Sequence, residues 1–138
     1  MLIAVVVNAQ EPTPTPKLNL MPMPASIKFQ RERLAIDANF RVATRGHSDA
    51  RLQAGIARFL KRLEGRTVLT LPAGLAADDQ TTPLIIHCEG PGKSIPSVSE
   101  NESYRIDITR RQAVLSAPTV VGALRGLETL LQLVDADR

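Results

Sequence analysis

Two stretches of the chain repeat apolar residues at the period of an α-helix. In the first, Leu52, Ile56, Phe59, Leu60 and Leu63 fall on one stripe, and Arg51, Arg58, Lys61 and Arg62 take the opposite face. This spacing predicts a helix from about Asp49 to Glu64. Ser48 is placed to cap its start, Asp49 suits the positive end of the helix dipole, and Gly65 is placed to stop it. In the second stretch, Val120, Leu124, Leu127, Leu131 and Val134 form the stripe, widened by Val121, Ala123 and Leu130. A helix is expected from about Thr119 to Val134, with Pro118 tolerated at its start. The wider stripe predicts the more buried of the two helices.

The remaining signal has the period of strands. Leu84 to Cys88 is a continuous apolar run. Tyr104-Arg105-Ile106-Asp107-Ile108 alternates strictly, as a half-buried strand does. Ala113 to Ala117 follows after four polar residues, Thr109 to Gln112, which suggests an antiparallel hairpin. Shorter candidates are Ile27 to Gln30, Arg33 to Asp37, Phe40 to Thr44 and Thr67 to Leu71. Loops rich in Pro, Gly, Ser and Asp are expected at Pro72 to Pro83 and Gly90 to Asn101. No βαβ rhythm is evident. The expected class is α+β: an antiparallel or mixed sheet with two helices packed on one face.

Length and composition narrow this picture. The chain's 138 residues suit one domain and are too few for a (β/α)₈ barrel of about 250. Residues 1–17 are expected to be a leader and linker, and residues 18–138 the folded body. Leu2 to Val7 followed by Asn8-Ala9-Gln10 resembles the end of a signal-peptide apolar region and its cleavage site, but lacks a basic start. An exported parent and a plain leader both stay open. Glu11 to Lys17, with alternating Pro, favours extended linker structure. Net charge is +3, too small a surplus to imply a polyanion partner, so no nucleic acid is expected. Aromatic residues make up 3%, which leaves few stacking platforms for single-stranded nucleic acid or sugars. No apolar run approaches the ~20 residues of a membrane span.

Candidate chemistry is sparse. Gly90-Pro91-Gly92-Lys93-Ser94 resembles the tail of a phosphate loop but lacks its first half and a following helix pattern, so a plain loop is expected. His47, His87 and Cys88 are the best metal-ligand types. His87 and Cys88 are strand neighbours and point to opposite faces, so structural roles are expected for all three. Cys88, the single cysteine, reads as a small buried hydrophobe. Asp78-Asp79, Glu100 with Glu102, and Asp135 with Asp137 are the carboxylate pairs that glycoside chemistry would draw on. All lie in expected loops or at the terminus, without apolar surroundings to raise a pKa. Arg58, Lys61, Arg62 and Arg66 cluster on and after the first helix, and Arg110-Arg111 sit in the hairpin turn. A solvated face, or an interface with an acidic surface, fits them. Gly122 and Gly126, one helical turn apart, each cost roughly 1 kcal/mol against Ala in a helix, which close approach of a neighbour would justify. No residue is assigned a catalytic, cofactor-binding or metal-binding role, and no cofactor is expected.

Four stretches, taken in order, carry a resemblance. Leu20-Met21-Pro22-Met23-Pro24 opens the body, and Glu102-Ser103-Tyr104-Arg105-Ile106 opens the hairpin. Leu115-Ser116-Ala117-Pro118 follows, and then Gly122-Ala123-Leu124-Arg125-Gly126-Leu127-Glu128-Thr129-Leu130-Leu131-Gln132-Leu133. This succession, over about residues 18–134, resembles the N-terminal, non-catalytic domain of family 20 glycoside hydrolases, the β-N-acetylhexosaminidases. The resemblance implies a sheet with two helices on one side, leading into a catalytic (β/α)₈ barrel, with Thr129, Gln132 and Leu133 near the junction. It implies a parent that hydrolyses terminal N-acetylhexosamine residues of glycans through an Asp-Glu pair in the barrel.

No Asp-Glu dipeptide occurs in this chain, so no catalytic residue carries over and the chain alone is expected to be inactive. The hairpin turn, Arg110-Arg111-Gln112, also lacks the glycine common in the family. The expected role is structural packing on the barrel, with an exposed apolar patch on the C-terminal half of the last helix. The domain of a family 84 glycosidase and a stand-alone carbohydrate-binding or adaptor module, with Tyr104 as its one tyrosine, are the alternatives.

Overall fold

A computed structural model describes residues 2–6, 20, 26, 28–72, 74–76, 81–93, 95 and 97–135. The chain runs β1 (Leu2–Val6), β2 (Lys28–Ala35), β3 (Val42–Gly46), α1 (Ala50–Thr67), β4 (Leu84–Cys88), β5 (Arg105–Ile108), β6 (Ala113–Ala117), α2 (Val120–Leu133) and β7 (Val134–Asp135). Two sheets form: a four-stranded mixed sheet in the order β3-β4-β6-β5, and a three-stranded one in the order β2-β1-β7. The fold is α+β, as the patterning predicts. The linker residues 11–17, most of the Leu20 to Pro24 motif, Ile27, Asp78-Asp79, Ser94 and Asp137 lie outside the described residues.

The four-stranded sheet explains why Leu84 to Cys88 is apolar without interruption. β4 lies between β3 and β6 and is parallel to both, with Leu84 opposite Val42 and Ala113, and Ile86 opposite Thr44 and Leu115. Leu84, Ile86 and Cys88 face the helices, and Ile85 is equally buried on the other face beside Ala43. A strand buried on both sides has no polar alternation to show. β5 and β6 form the antiparallel hairpin that the spacing predicts, pairing Ile106 with Leu115 and Ile108 with Ala113. Its turn closes on Thr109, whose backbone N–H donates to the Gln112 carbonyl at 2.8 Å and whose hydroxyl accepts from Arg111 and Gln112. A glycine is therefore not needed there.

Several expectations are corrected. β3, α1 and β4 make a βαβ unit, because α1 carries the chain between parallel neighbours. The two short strands expected at Ile27 to Gln30 and Arg33 to Asp37 are one strand, β2. Thr67 to Leu71 is not a strand: Thr67 ends α1, and the buried Leu71 donates its backbone N–H to the Glu64 carboxylate at 2.8 Å instead of to a sheet neighbour. α1 is capped by Asp49, not Ser48, with Asp49 Oδ1 accepting from Leu52 N at 2.8 Å. It also runs through Gly65 and stops at Val68, whose φ of 58° is left-handed and whose N–H returns to the Glu64 carbonyl. At the start of the chain Leu2–Val6 pairs with β2 and β7.

One core joins the sheet to both helices. Leu84, Ile86 and Leu115 of the sheet meet Leu52, Ile56, Phe59 and Leu63 of α1 and Val120, Ala123, Leu127 and Leu130 of α2. Both helices thus lie on one face. α2 packs on β6 and β4 and also on α1, so it is covered on most sides. Among the described residues no buried side-chain nitrogen or oxygen lacks a hydrogen-bond partner.

Candidate functional site

The residues of the sequence motifs converge on the seam between the β5–β6 hairpin and α2. Thr119 begins the helix: its hydroxyl accepts from Gly122 N at 3.1 Å and donates to the Asn101 carbonyl at 2.6 Å. This ties the loop ahead of β5 to the helix start. Gly122 then lies against that loop, and a Cβ there would collide with the Ser103 carbonyl oxygen and sit 3.2 Å from the Ala117 Cβ. At Gly126 a Cβ would enter the side chain of Leu115. The two glycines therefore clear one strip of α2 for the strands, as expected from their spacing. Tyr104 crosses the same seam. Its hydroxyl lies 2.5 Å from the Thr129 hydroxyl, and Thr129 also faces the Arg125 carbonyl at 3.4 Å. Thr129 is thus buried against the domain's own tyrosine.

On the side of the helices away from the sheet, α1 and α2 enclose a groove of about 430 Å³. Gly55 sets how closely the helices meet, because a Cβ there would enter the Leu124 side chain. Patterning misses Gly55, although the cost argument that singles out Gly122 and Gly126 applies to it equally. Charged side chains rim the groove. Arg62 pairs with Glu128 at 2.5 Å and Arg125 with Glu102 at 3.4 Å. Arg51 donates to the Pro91 carbonyl, a bond that leaves its charge unneutralised; outside the groove, Arg66 does the same to the Leu131 carbonyl. The loop ahead of β5 closes one end, with Ser97 and Glu100 in the wall and Ile95 and Val98 exposed.

The exposed apolar patch expected on the C-terminal half of α2 is not there. Leu127, Leu130 and Leu131 are buried, because α1, β6 and β4 cover that half from within the domain. The large apolar side chains exposed among the described residues are Val68, Leu75, Ile95 and Val98.

The other candidates scatter. His47 Nε2 lies 3.1 Å from Asp49 Oδ2, and its backbone N–H donates to the Cys88 carbonyl at 2.7 Å. The Leu52 backbone N–H, with help from His47, holds the Asp49 carboxyl below its usual range. Cys88 is fully buried and its thiol donates to the Gly90 carbonyl at 3.1 Å; burial pushes its pKa up. His87 sits on the other face of β4, beside Arg45 and Ser116 in register. Among the described residues no three His, Cys, Asp or Glu side chains converge as a metal site. Glu100 and Glu102 are engaged separately: Glu100 accepts from Lys93 N at 3.0 Å and Glu102 meets Arg125. Asp135 is in β7, and Gly90 to Lys93 is loop. Arg110 and Arg111 stand exposed at the rim of a second hollow, with Arg41 and Asp37. No helix among the described residues is long and apolar enough to cross a membrane.

Comparison with known proteins gives these contacts a family. Residues 20–133 match the family model described as beta-acetyl hexosaminidase like. Beta-hexosaminidase subunit beta of Mus musculus is 35% identical over 133 residues, covering 86% of this chain and 24% of its own. The subunit beta of Sus scrofa is 48% identical over 54 residues, 39% of this chain and 10% of its own. Among solved structures, the chitobiase of Flavobacterium johnsoniae superposes with a TM-score of 0.78 at 36% identity, covering 87% of this chain and 18% of that one. The chain thus spans a quarter or less of the length of these relatives, and over residues 20–133 it belongs to the beta-acetyl hexosaminidase-like domain family.

Proposed function

We propose that residues 18–138 are the non-catalytic N-terminal domain of a family 20 glycoside hydrolase, with residues 1–17 a leader and linker whose Leu2–Val6 pairs with β2 and β7. The parent hydrolyses terminal N-acetylhexosamine residues of glycans in a catalytic (β/α)₈ barrel. The domain contributes no catalytic residue and acts as a scaffold, docking its helix-pair face on the barrel.

The observation that carries this reading is the pairing of family and extent. The match covers residues 20–133, yet the chain covers only 24% of the mouse subunit and 18% of the chitobiase. The carboxylates support it, because Glu102 is drawn to Arg125 and Glu100 to a backbone N–H. Tyr104 also speaks against a stand-alone sugar-binding role, since its hydroxyl is engaged by Thr129 and its ring is half-buried.

Two measurements test the proposal. The 138-residue chain is assayed with a chromogenic N-acetylglucosaminide, and the reading frame beyond Arg138 is sequenced and expressed. The expected result is no turnover by the short chain and turnover by the longer polypeptide. Hexosaminidase activity in the short chain would overturn the non-catalytic assignment.

A further inference from the structure

The groove between α1 and α2 holds an imbalance of charge. α1 carries five cations, Arg51, Arg58, Lys61, Arg62 and Arg66, and one carboxylate, Glu64, which is turned to the Leu71 backbone. Two of the groove's arginines have carboxylate partners within the domain, Arg62 with Glu128 and Arg125 with Glu102. Of the groove's other two arginines, Arg51 donates to the Pro91 carbonyl, and Arg58, one turn before Arg62, is the fourth. Its guanidinium lies over Gly55, 3.8 Å from where a Cβ would stand. Among the described residues no carboxylate pairs with it, and the remaining groove carboxylate, Glu100, already accepts from Lys93.

In the free domain this is inexpensive, because water solvates an exposed guanidinium and a surface pair would add little. Docking changes the balance. A surface laid over the helix pair strips water from Arg58, and an arginine covered without a partner is strongly destabilising. An apolar face alone would therefore be rejected. The groove accepts a partner that brings a negative charge to Arg58, in the bidentate geometry a guanidinium favours.

We propose that the catalytic part of the same polypeptide presents an Asp or Glu side chain to Arg58 in the α1–α2 groove. This rests on the docking role proposed above and adds the chemistry of the contact.

The test uses the longer polypeptide encoded in the same reading frame. Arg58→Lys keeps the charge and supplies an amine that a carbodiimide joins to a contacting carboxylate without a spacer. The expected result is a cross-link from position 58 to an Asp or Glu outside residues 1–138, found by peptide mass spectrometry. A cross-link only to Glu102 or Glu128, one between two copies in an isotope-mixed sample, or none at all overturns the proposal.

Arg58→Glu gives a second reading. In the longer polypeptide it is expected to split a single thermal transition into two, while leaving the melting of the 138-residue chain unchanged. A longer polypeptide that melts in two independent steps without any substitution, or a frame that stops at Arg138, defeats the docking role itself. One that melts in a single step with and without Arg58→Glu defeats only the carboxylate contact.

Discussion

α1 and α2 are built alike at their starts and differ everywhere else. Each begins with a side-chain oxygen that accepts from a backbone N–H three residues on, Asp49 to Leu52 and Thr119 to Gly122. α1 then buries one stripe and leaves the rest of its circumference in water, covered with arginine. α2 leaves only Arg125 and Glu128 exposed, because it lies against both the sheet and α1. The motif residues follow contact rather than helicity. Where α2 touches the hairpin, side-chain size is dictated residue by residue. On the outer face of α1, little within the domain constrains the choice.

The sharpest way to break this contrast is to add a single methyl group to each helix. Gly122→Ala pushes a Cβ into the Ser103 carbonyl, which belongs to the backbone and cannot rotate away. Overpacking of this kind costs about 1–3 kcal/mol, against which Ala returns at most about 1 kcal/mol of helix propensity. The expected net effect is a loss, of up to about 2 kcal/mol. Gly65→Ala in α1 meets nothing within 4 Å and is expected to gain up to about 1 kcal/mol. Urea unfolding of the two variants reads both signs. Equal effects at the two positions would show that the seam of α2 is no tighter than the surface of α1.

A smaller effect is expected where α1 ends. Val68 is exposed and β-branched, yet it occupies the left-handed region that glycine ordinarily fills. Val68→Gly relieves that conformation at the expense of a more flexible unfolded chain. A gain of about 1 kcal/mol is expected, seen as a higher urea midpoint with unchanged slope. No gain would show that the flanking bonds, Leu71 N to Glu64 and Thr67 to the Leu63 carbonyl, set this stop independently of residue 68.

The end of α1 also shows what the sequence could and could not convey. The stripe from Leu52 to Leu63 and the wider one on α2 were legible, since burial on one face imposes a period. So was the hairpin, since half-burial of β5 leaves Arg105 and Asp107 alternating with Ile106 and Ile108. The stop of α1 was not, because Gly65 lies in open space inside the helix and the turn falls on a valine. The βαβ unit was hidden for a different reason. Parallel pairing of β3 with β4 is a long-range choice, and Val42 to Gly46 carries no local mark of it. At the seam, Gly122 and Gly126 announced a close neighbour without naming Ser103 or Leu115. Arg58 looked like its neighbours Lys61 and Arg62 until the pairing of Arg62 and Arg125 left it over.

The subtlest difference between the helices lies in their caps, and it is a difference of charge. Asp49 titrates and Thr119 does not. The folded state holds the Asp49 carboxyl below its usual range, through the Leu52 N–H first and His47 second. A group depressed in this way binds fewer protons folded than unfolded, so its contribution is present above the unfolded value of about 3.9. It is lost as pH falls below that value and through the folded one. Asn caps a helix about as well as Asp. Asp49→Asn is therefore expected to change stability at pH 7 by no more than about 0.5 kcal/mol, while removing part of the decline below pH 4. Thr119→Ala is the matching change in α2. It is expected to cost about 1 kcal/mol at every pH, because the bonds to Gly122 and Asn101 carry no proton that titrates. Urea unfolding between pH 2 and pH 7 separates the two. An acid limb left intact by Asp49→Asn would place its source elsewhere and leave the caps equivalent.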